Sequence, residues 1–130
     1  MKTLKRLSAV LTASALALAL SATAFAAVED TGFSDVAADA WYGEAVMYCR
    51  DNGLMNGTSQ TTFTPDATMT RAQLCAVFYR MAGSPEVSGA DAFADTPAGA
   101  WYEDAILWAG QNGIMSGYTA ASFGPNDPVT

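Results

Sequence analysis

Histidine is absent from the 130-residue sequence, cysteine occurs only twice, and six Lys and Arg face 13 Asp and Glu. Each shortage excludes a class of function. Without histidine there is no Ser-His-Asp or Cys-His catalysis, no histidine metal site and no general base of the commonest kind. Two cysteines cannot build a four-cysteine zinc site or a dense disulfide framework. The acid excess argues against nucleic acid, whose phosphates such a chain repels. Long apolar runs are equally scarce: one stretch, Leu7–Leu20, consists only of Leu, Ala, Val, Ser and Thr. The length fits one modest domain, or a few small repeats, plus a targeting segment.

That run follows Lys2, Lys5 and Arg6 and leads to Ala24-Phe25-Ala26. A basic start, a short apolar run and small residues at the cut are the layout of a secretory signal peptide over residues 1–26. The run is shorter than the ~20 residues a membrane-spanning helix needs. Cleavage is expected after Ala26, with Ala22-Thr23-Ala24 as the weaker site. The mature chain then keeps Arg50, Arg71 and Arg80 against all 13 acids. It reads as secreted and acidic, with no membrane span after cleavage, in a compartment that permits disulfides.

What the mature chain does contain is a repeat. When Phe33 is slid onto Phe93, Asp35 meets Asp95, Trp41-Tyr42 meets Trp101-Tyr102 and Ala45 meets Ala105. Further along, Asn52-Gly53 meets Asn112-Gly113, Met55 Met115, Gly57 Gly117, Phe63 Phe123, Pro65 Pro125 and Thr70 Thr130, all without a gap. So many coincidences in one register mark a duplicated unit. The organisation is a lead-in at 27–32, a first repeat at 33–82, a linker at 83–92 rich in Gly, Ser and Pro, and a second repeat at 93–130. The second copy is expected to stop before its second helix.

Each unit reads as helix, turn-rich loop, helix. Trp41, Tyr42, Ala45, Val46 and Cys49 share one helical face, with Asp39 as a candidate cap and Asn52-Gly53 as the stop. Leu54–Gly57 and Thr61–Phe63 are short extended pieces, and Pro65-Asp66 is a turn. The second helix carries Leu74, Cys75, Phe78, Met81 and Ala82 on a stripe and ends at Gly83. Phe33, Phe63 and Phe78 are expected in the core.

Thr70-Arg71-Ala72-Gln73 has the form of a capping box, with Thr70 at the N-cap and Gln73 at N3. Arg71 is left over: a cation in the first turn faces the positive end of the helix dipole. Either an anionic ligand, helped by free N–H groups at the helix start, or an ion pair should offset it. Asp35 and Asp95, each two residues after a repeated Phe, read as turn or N-cap residues. Trp41 and Trp101 read as core or as platforms for a sugar ring. Glu103-Asp104 are helix neighbours that do not face each other, so they form no glycosidase dyad. Asp127 completes no calcium loop, and no metal or cofactor is called for. Cys49 and Cys75 fall on the apolar stripes of two helices expected to pack within one repeat. They suggest a disulfide, or else two buried thiols acting as small apolar residues.

The ordered series Phe33-Ser34-Asp35-Val36, Trp41-Tyr42, Asn52–Gly57, Thr62–Asp66 and Thr70–Gln73 resembles a surface-layer homology (SLH) repeat, and residues 93–130 resemble most of a second. The resemblance implies a mainly α fold of tandem helix–loop–helix repeats, three of which close into a pseudo-threefold bundle when complete. It implies non-covalent anchoring of an exported protein to an anionic, pyruvylated secondary cell-wall polysaccharide at the surface of Gram-positive-type bacteria. In the family's T-R-A-E segment the Arg grips the acidic group; here the match is Thr70-Arg71-Ala72-Gln73, with Gln73 in place of Glu. The resemblance also assigns Asp35, Trp41, Asp95 and Trp101 to grooves between repeats, near the loops of Gly57 and Gly117. Alternatives are a protein–protein module that associates with further SLH repeats, or an anchor for an enzyme encoded downstream.

Overall fold

The computed structural model describes residues 30–89 and 93–130; the expected signal peptide, the first half of the lead-in and the end of the linker lie outside the described residues. Three helices carry the fold: α1 (Gly43–Asp51), α2 (Arg71–Met81) and α3 (Glu103–Gln111). The described residues contain no strand, only an isolated bridge between Thr70 and Pro128. The mainly helical class read from the sequence therefore holds.

All three helices stop in the same way. Gly53, Gly83 and Gly113 adopt positive φ of 65°, 84° and 66°. Each lets the chain turn so that two N–H groups fold back on the last turn, as in Gly53 N–H to Arg50 O and Leu54 N–H to Cys49 O. Asn52 and Asn112 add a side-chain N–H to the carbonyls of Tyr48 and Trp108. The start of α2 follows expectation, with Thr70 at the N-cap, but that of α1 does not. Asp39 caps nothing: α1 begins after Tyr42, which makes no side-chain cap bond. Instead of a helical turn, residues 37–43 form two successive turns, with Ala40 N–H bonded to Ala37 O and Gly43 N–H to Ala40 O.

The core is divided in two. Phe33, Val36 and Val46 pack with Tyr42 and Phe63 in the first repeat. The larger cluster joins Ala72, Cys75 and Ala76 of α2 to Ala105, Ile106, Ala109 and Phe123. Thus α2 packs on α3 of the next repeat, while α1 packs on neither helix. Small residues on both sides let the two backbones approach closely, which turns α2 so that Phe78 and Met81 face outward. The expected core role of Phe78 is thereby corrected.

The same arrangement removes the expected disulfide: Cys49 and Cys75 are both free. Cys75 lies under α3 with its Sγ 3.3 Å from Met115 Sδ, whereas Cys49 sits on the unpacked face of α1. Burial pushes the Cys75 thiol up to about 11, against the pull of Arg71, so it stays protonated at neutral pH.

Candidate functional site

The start of α2 is docked into the second repeat rather than open. Thr70 and Gln73 form the capping box: Thr70 Oγ1 accepts from the Gln73 N–H, and Gln73 Oε1 accepts from the Thr70 N–H at 2.7 Å. The next two donors are also taken, Arg71 N–H by Asp127 O at 2.9 Å and Ala72 N–H by Pro125 O at 3.0 Å. Val129 N–H donates to Met69 O across the same seam. No N–H of this first turn is left for an anion.

Among the described residues Arg71 has no ion-pair partner, and it lines neither of the two grooves described below. Its Nε donates to Phe123 O at 3.0 Å and its Nη2 to Ser116 O at 2.6 Å. The guanidinium lies 4.4 Å from the Tyr118 ring centroid and 4.6 Å from that of Phe123. Carbonyl oxygens and ring faces offset the unfavourable helix dipole. This is a third solution that the two sequence readings, ligand or ion pair, did not include.

Asp35 and Asp95 brace the loop that follows each first helix. Asp35 accepts from the N–H groups of Phe63 and Thr64 at 2.8 and 2.7 Å. Asp95 accepts from Phe123 and Gly124 N–H, both at 2.8 Å, and from the Ser122 hydroxyl. The Phe63 and Phe123 N–H groups hold the two carboxyls below the usual carboxylate range. Gly57 and Gly117 are packing positions. A Cβ at Gly57 would stand 2.7 Å from the Phe33 ring, and one at Gly117 2.3 Å from the Phe93 ring.

The tryptophans are not core. Trp41 is 93% and Trp101 63% exposed, each held edge-to-face by its neighbouring tyrosine. They line different grooves. Trp101 reaches across from the second repeat to close a groove of about 490 Å³ between the Met55–Thr58 and Phe63–Met69 loops and α2. Trp41 borders a more apolar groove of about 340 Å³ with Tyr42, Val46, Cys49 and Phe63. Of the residues singled out in the sequence, Trp101, Gln73 and Gly57 meet in the larger groove. Arg71, Thr70, Asp35, Asp95, Gly117 and Trp41 are not among its lining residues.

Sequence reading missed Arg80, Asn56, Thr58, Thr64 and Thr68, which also line it. The available signal was spacing: Gln73, Val77 and Arg80 stand at i, i+4 and i+7 and share a helix face. An exposed indole, a guanidinium, amides and hydroxyls around one cleft are suited to a hydroxylated, anionic ligand such as a substituted sugar. Among the described residues no group of His, Cys, Asp and Glu could hold a metal ion, and no helix is long and apolar enough to cross a membrane.

Residues 32–75 and 92–130 match the S-layer homology domain family. The chain belongs to that family, whose modules serve anchoring at the cell surface. It is 38% identical over 87 residues to a surface-layer 125 kDa protein of Lysinibacillus sphaericus, covering 67% of this chain and 7% of that protein. A cell surface protein of Thermoanaerobacter kivui is 35% identical over 134 residues, covering 99% of this chain and 17% of its own length. An amylopullulanase of Thermoanaerobacterium thermosulfurigenes is 30% identical over 107 residues, covering 82% of this chain and 6% of its own. The chain thus spans a small part of the curated relatives it matches.

Proposed function

We propose that this chain is a secreted cell-wall anchor that binds an anionic, pyruvylated secondary cell-wall polysaccharide in the groove between its repeats. The observation that carries this reading is the groove itself. It joins a solvent-exposed Trp101 from one repeat to polar residues of the other, so a bound sugar chain bridges both. The amylopullulanase relative suggests that such a module travels with enzymes, the chemistry residing elsewhere in the protein. The test is retention of the purified chain on isolated Gram-positive-type cell walls. Trp101→Ala is expected to lower retention at least tenfold while helicity is unchanged, and walls stripped of secondary polymer should retain neither protein. Equal retention on stripped and native walls would sink the assignment.

A second reading, association with further SLH repeats in the same or another chain, is favoured by one observation. Ala45 and Cys49 of α1 are the counterparts of Ala105 and Ala109 of α3, which α2 covers; on α1 that face is open. A helix like α2 from another repeat fits it. Light scattering checks this reading: concentration-dependent growth in mass that Ala45→Glu abolishes is the expected outcome.

A further inference from the structure

We propose that Asn56-Gly57 is a self-modification site, where the loop deamidates through a succinimide, sets a carboxylate into the groove between the repeats and so loosens the anchor as it ages. The effect on binding rests on the reading of the groove as the polysaccharide site; the chemistry does not. Asn-Gly occurs at Asn52-Gly53, Asn56-Gly57 and Asn112-Gly113. Asparagine is a thermolabile residue, and a following glycine leaves the attacking backbone nitrogen uncovered. The structure separates the three pairs. In two of them both reacting groups are tied. Asn52 Nδ2 donates to Tyr48 O at 2.8 Å and Gly53 N–H to Arg50 O at 2.9 Å. Asn112 Nδ2 donates to Trp108 O at 2.9 Å and Gly113 N–H to Gly110 O at 3.2 Å. At Asn56-Gly57 both residues are exposed, and neither the Asn56 side chain nor the Gly57 N–H has a hydrogen-bond partner among the described residues.

The step needs only water and solvent base. The Gly57 nitrogen gives up its proton and attacks Asn56 Cγ. A nitrogen–Cγ bond forms, the Cγ–Nδ2 bond breaks, and ammonia leaves with that proton, which closes a cyclic succinimide. Water then opens either carbonyl of the ring. One opening gives aspartate and the other isoaspartate, and each carries a carboxylate where a neutral amide stood. The second repeat has Ser116 before Gly117, so it holds no equivalent pair.

The position gives the reaction its consequence. Asn56 lines the larger groove, none of whose lining residues is acidic although the sequence carries 13 acids. A new carboxylate there sets a like charge beside an anionic ligand. Isoaspartate also lengthens the main chain by a methylene just before Gly57, where there is no slack. A Cβ on Gly57 would already stand 2.5 Å from Thr62 O and 2.7 Å from the Phe33 ring. The residues that follow hold the polar wall: the Thr58 hydroxyl lies 3.2 Å from that of Thr62 and 2.5 Å from that of Thr64, a β-branched residue held at φ 60°. Displacing Gly57 therefore moves that wall as well.

The experiment incubates the full chain at mildly alkaline pH, native and in urea, and follows each Asn-Gly pair by peptide mass and isoaspartate content. In the native chain Asn56 is expected to react about tenfold faster or more than Asn52 and Asn112, whose bonds must first open. In urea the three rates should converge. Equal native rates, or an Asn56 that stays intact, overturn the modification site whatever the groove binds. Aged wild type, Asn56→Asp, Asn56→Gln and Trp101→Ala are then compared with fresh wild type on isolated cell walls, with helicity followed by circular dichroism. Aged wild type and Asn56→Asp are expected to bind about 3- to 10-fold more weakly, the scale of one like charge in a partly open cleft. Binding by Asn56→Gln, whatever its starting level, should not decline with incubation. Undiminished binding in aged wild type and Asn56→Asp with weakened binding in Trp101→Ala overturns the loosening and leaves the groove standing. Undiminished binding in all three overturns the groove reading, and the loosening with it.

Discussion

Thr96 stands where the first repeat has Val36, and both are buried. The Thr96 hydroxyl has no hydrogen-bond partner. Burying such a group costs about 1–3 kcal/mol, and valine has the same shape without it. Thr96→Val is therefore expected to stabilise the chain by about 1 kcal/mol, read as a rise of roughly 5 °C in Tm for a unit of this size. Thr64 carries the opposite lesson. Thr64→Gly relieves about 1–2 kcal/mol of left-handed strain and gives back about 1 kcal/mol in chain entropy. Thermal stability should hold or rise while wall retention falls. A loss of both would place Thr64 among ordinary structural residues. The two aspartates set the acid limit. Their carboxyls are held below the ordinary value by backbone N–H donors, so the unfolded chain binds protons first as pH falls. Stability from this source is complete above about pH 4 and declines as pH drops through the lowered native values. Denaturant titrations at a series of pH values should show this slope, and Asp35→Asn with Asp95→Asn should flatten it. At this scale the sequence exposed the misfit at Arg71 but not its resolution, because backbone carbonyls and ring faces from the other repeat have no sequence signature. Arg80 drew no attention for the converse reason: a cation in a last turn violates no rule.

At the scale of elements, helix positions and stops were readable and helix partners were not. Asn-Gly after each first helix marked where α1 and α3 end, and Gly83 marked the end of α2. Periodicity found the buried faces only in part: Val46 and Cys75 lie on them, but Phe78 and Met81 face outward while Ala72 and Ala76 are buried. It does not say what a face meets, and the nearest helix in sequence is the natural guess. The guess failed because α2 is tied at its start to Asp127, Pro125 and Val129, which swings it onto α3. The disulfide between Cys49 and Cys75 failed with it. The consequence is that equal positions in the two repeats are unequal in energy. Ala105 is 3% exposed beneath α2, while Ala45 lies open. Ala105→Glu buries an unpaired charge and should cost more than 3 kcal/mol. Ala45→Glu should stay within about 0.5 kcal/mol. Parallel urea titrations of the two variants check the asymmetry. Equal losses would mean that α1 is covered in solution.

For the whole molecule the proposed function raises the question of how an acidic chain would hold an acidic polymer. Six Lys and Arg face 13 Asp and Glu in the sequence, so the long-range field repels an anionic wall. Attraction has to come from within the groove, whose lining residues include Arg80 and no acid. The two contributions respond differently to salt. The Debye length falls from about 30 Å at 0.01 M to about 8 Å at 0.15 M, which removes the general repulsion and hardly touches a partly buried pair at contact distance. Wall retention is therefore expected to rise, or at least hold, between these two salt concentrations, chiefly through faster association. Arg80→Gln should weaken binding at both. A polybasic surface behaves in the opposite way, losing affinity steadily from the lowest salt upward. Measured association rates on immobilised walls distinguish the two. A steady fall with salt from 0.01 M would mean that charge outside the groove drives the encounter, and the acid-free cleft around Arg80 would then not be what holds the polymer.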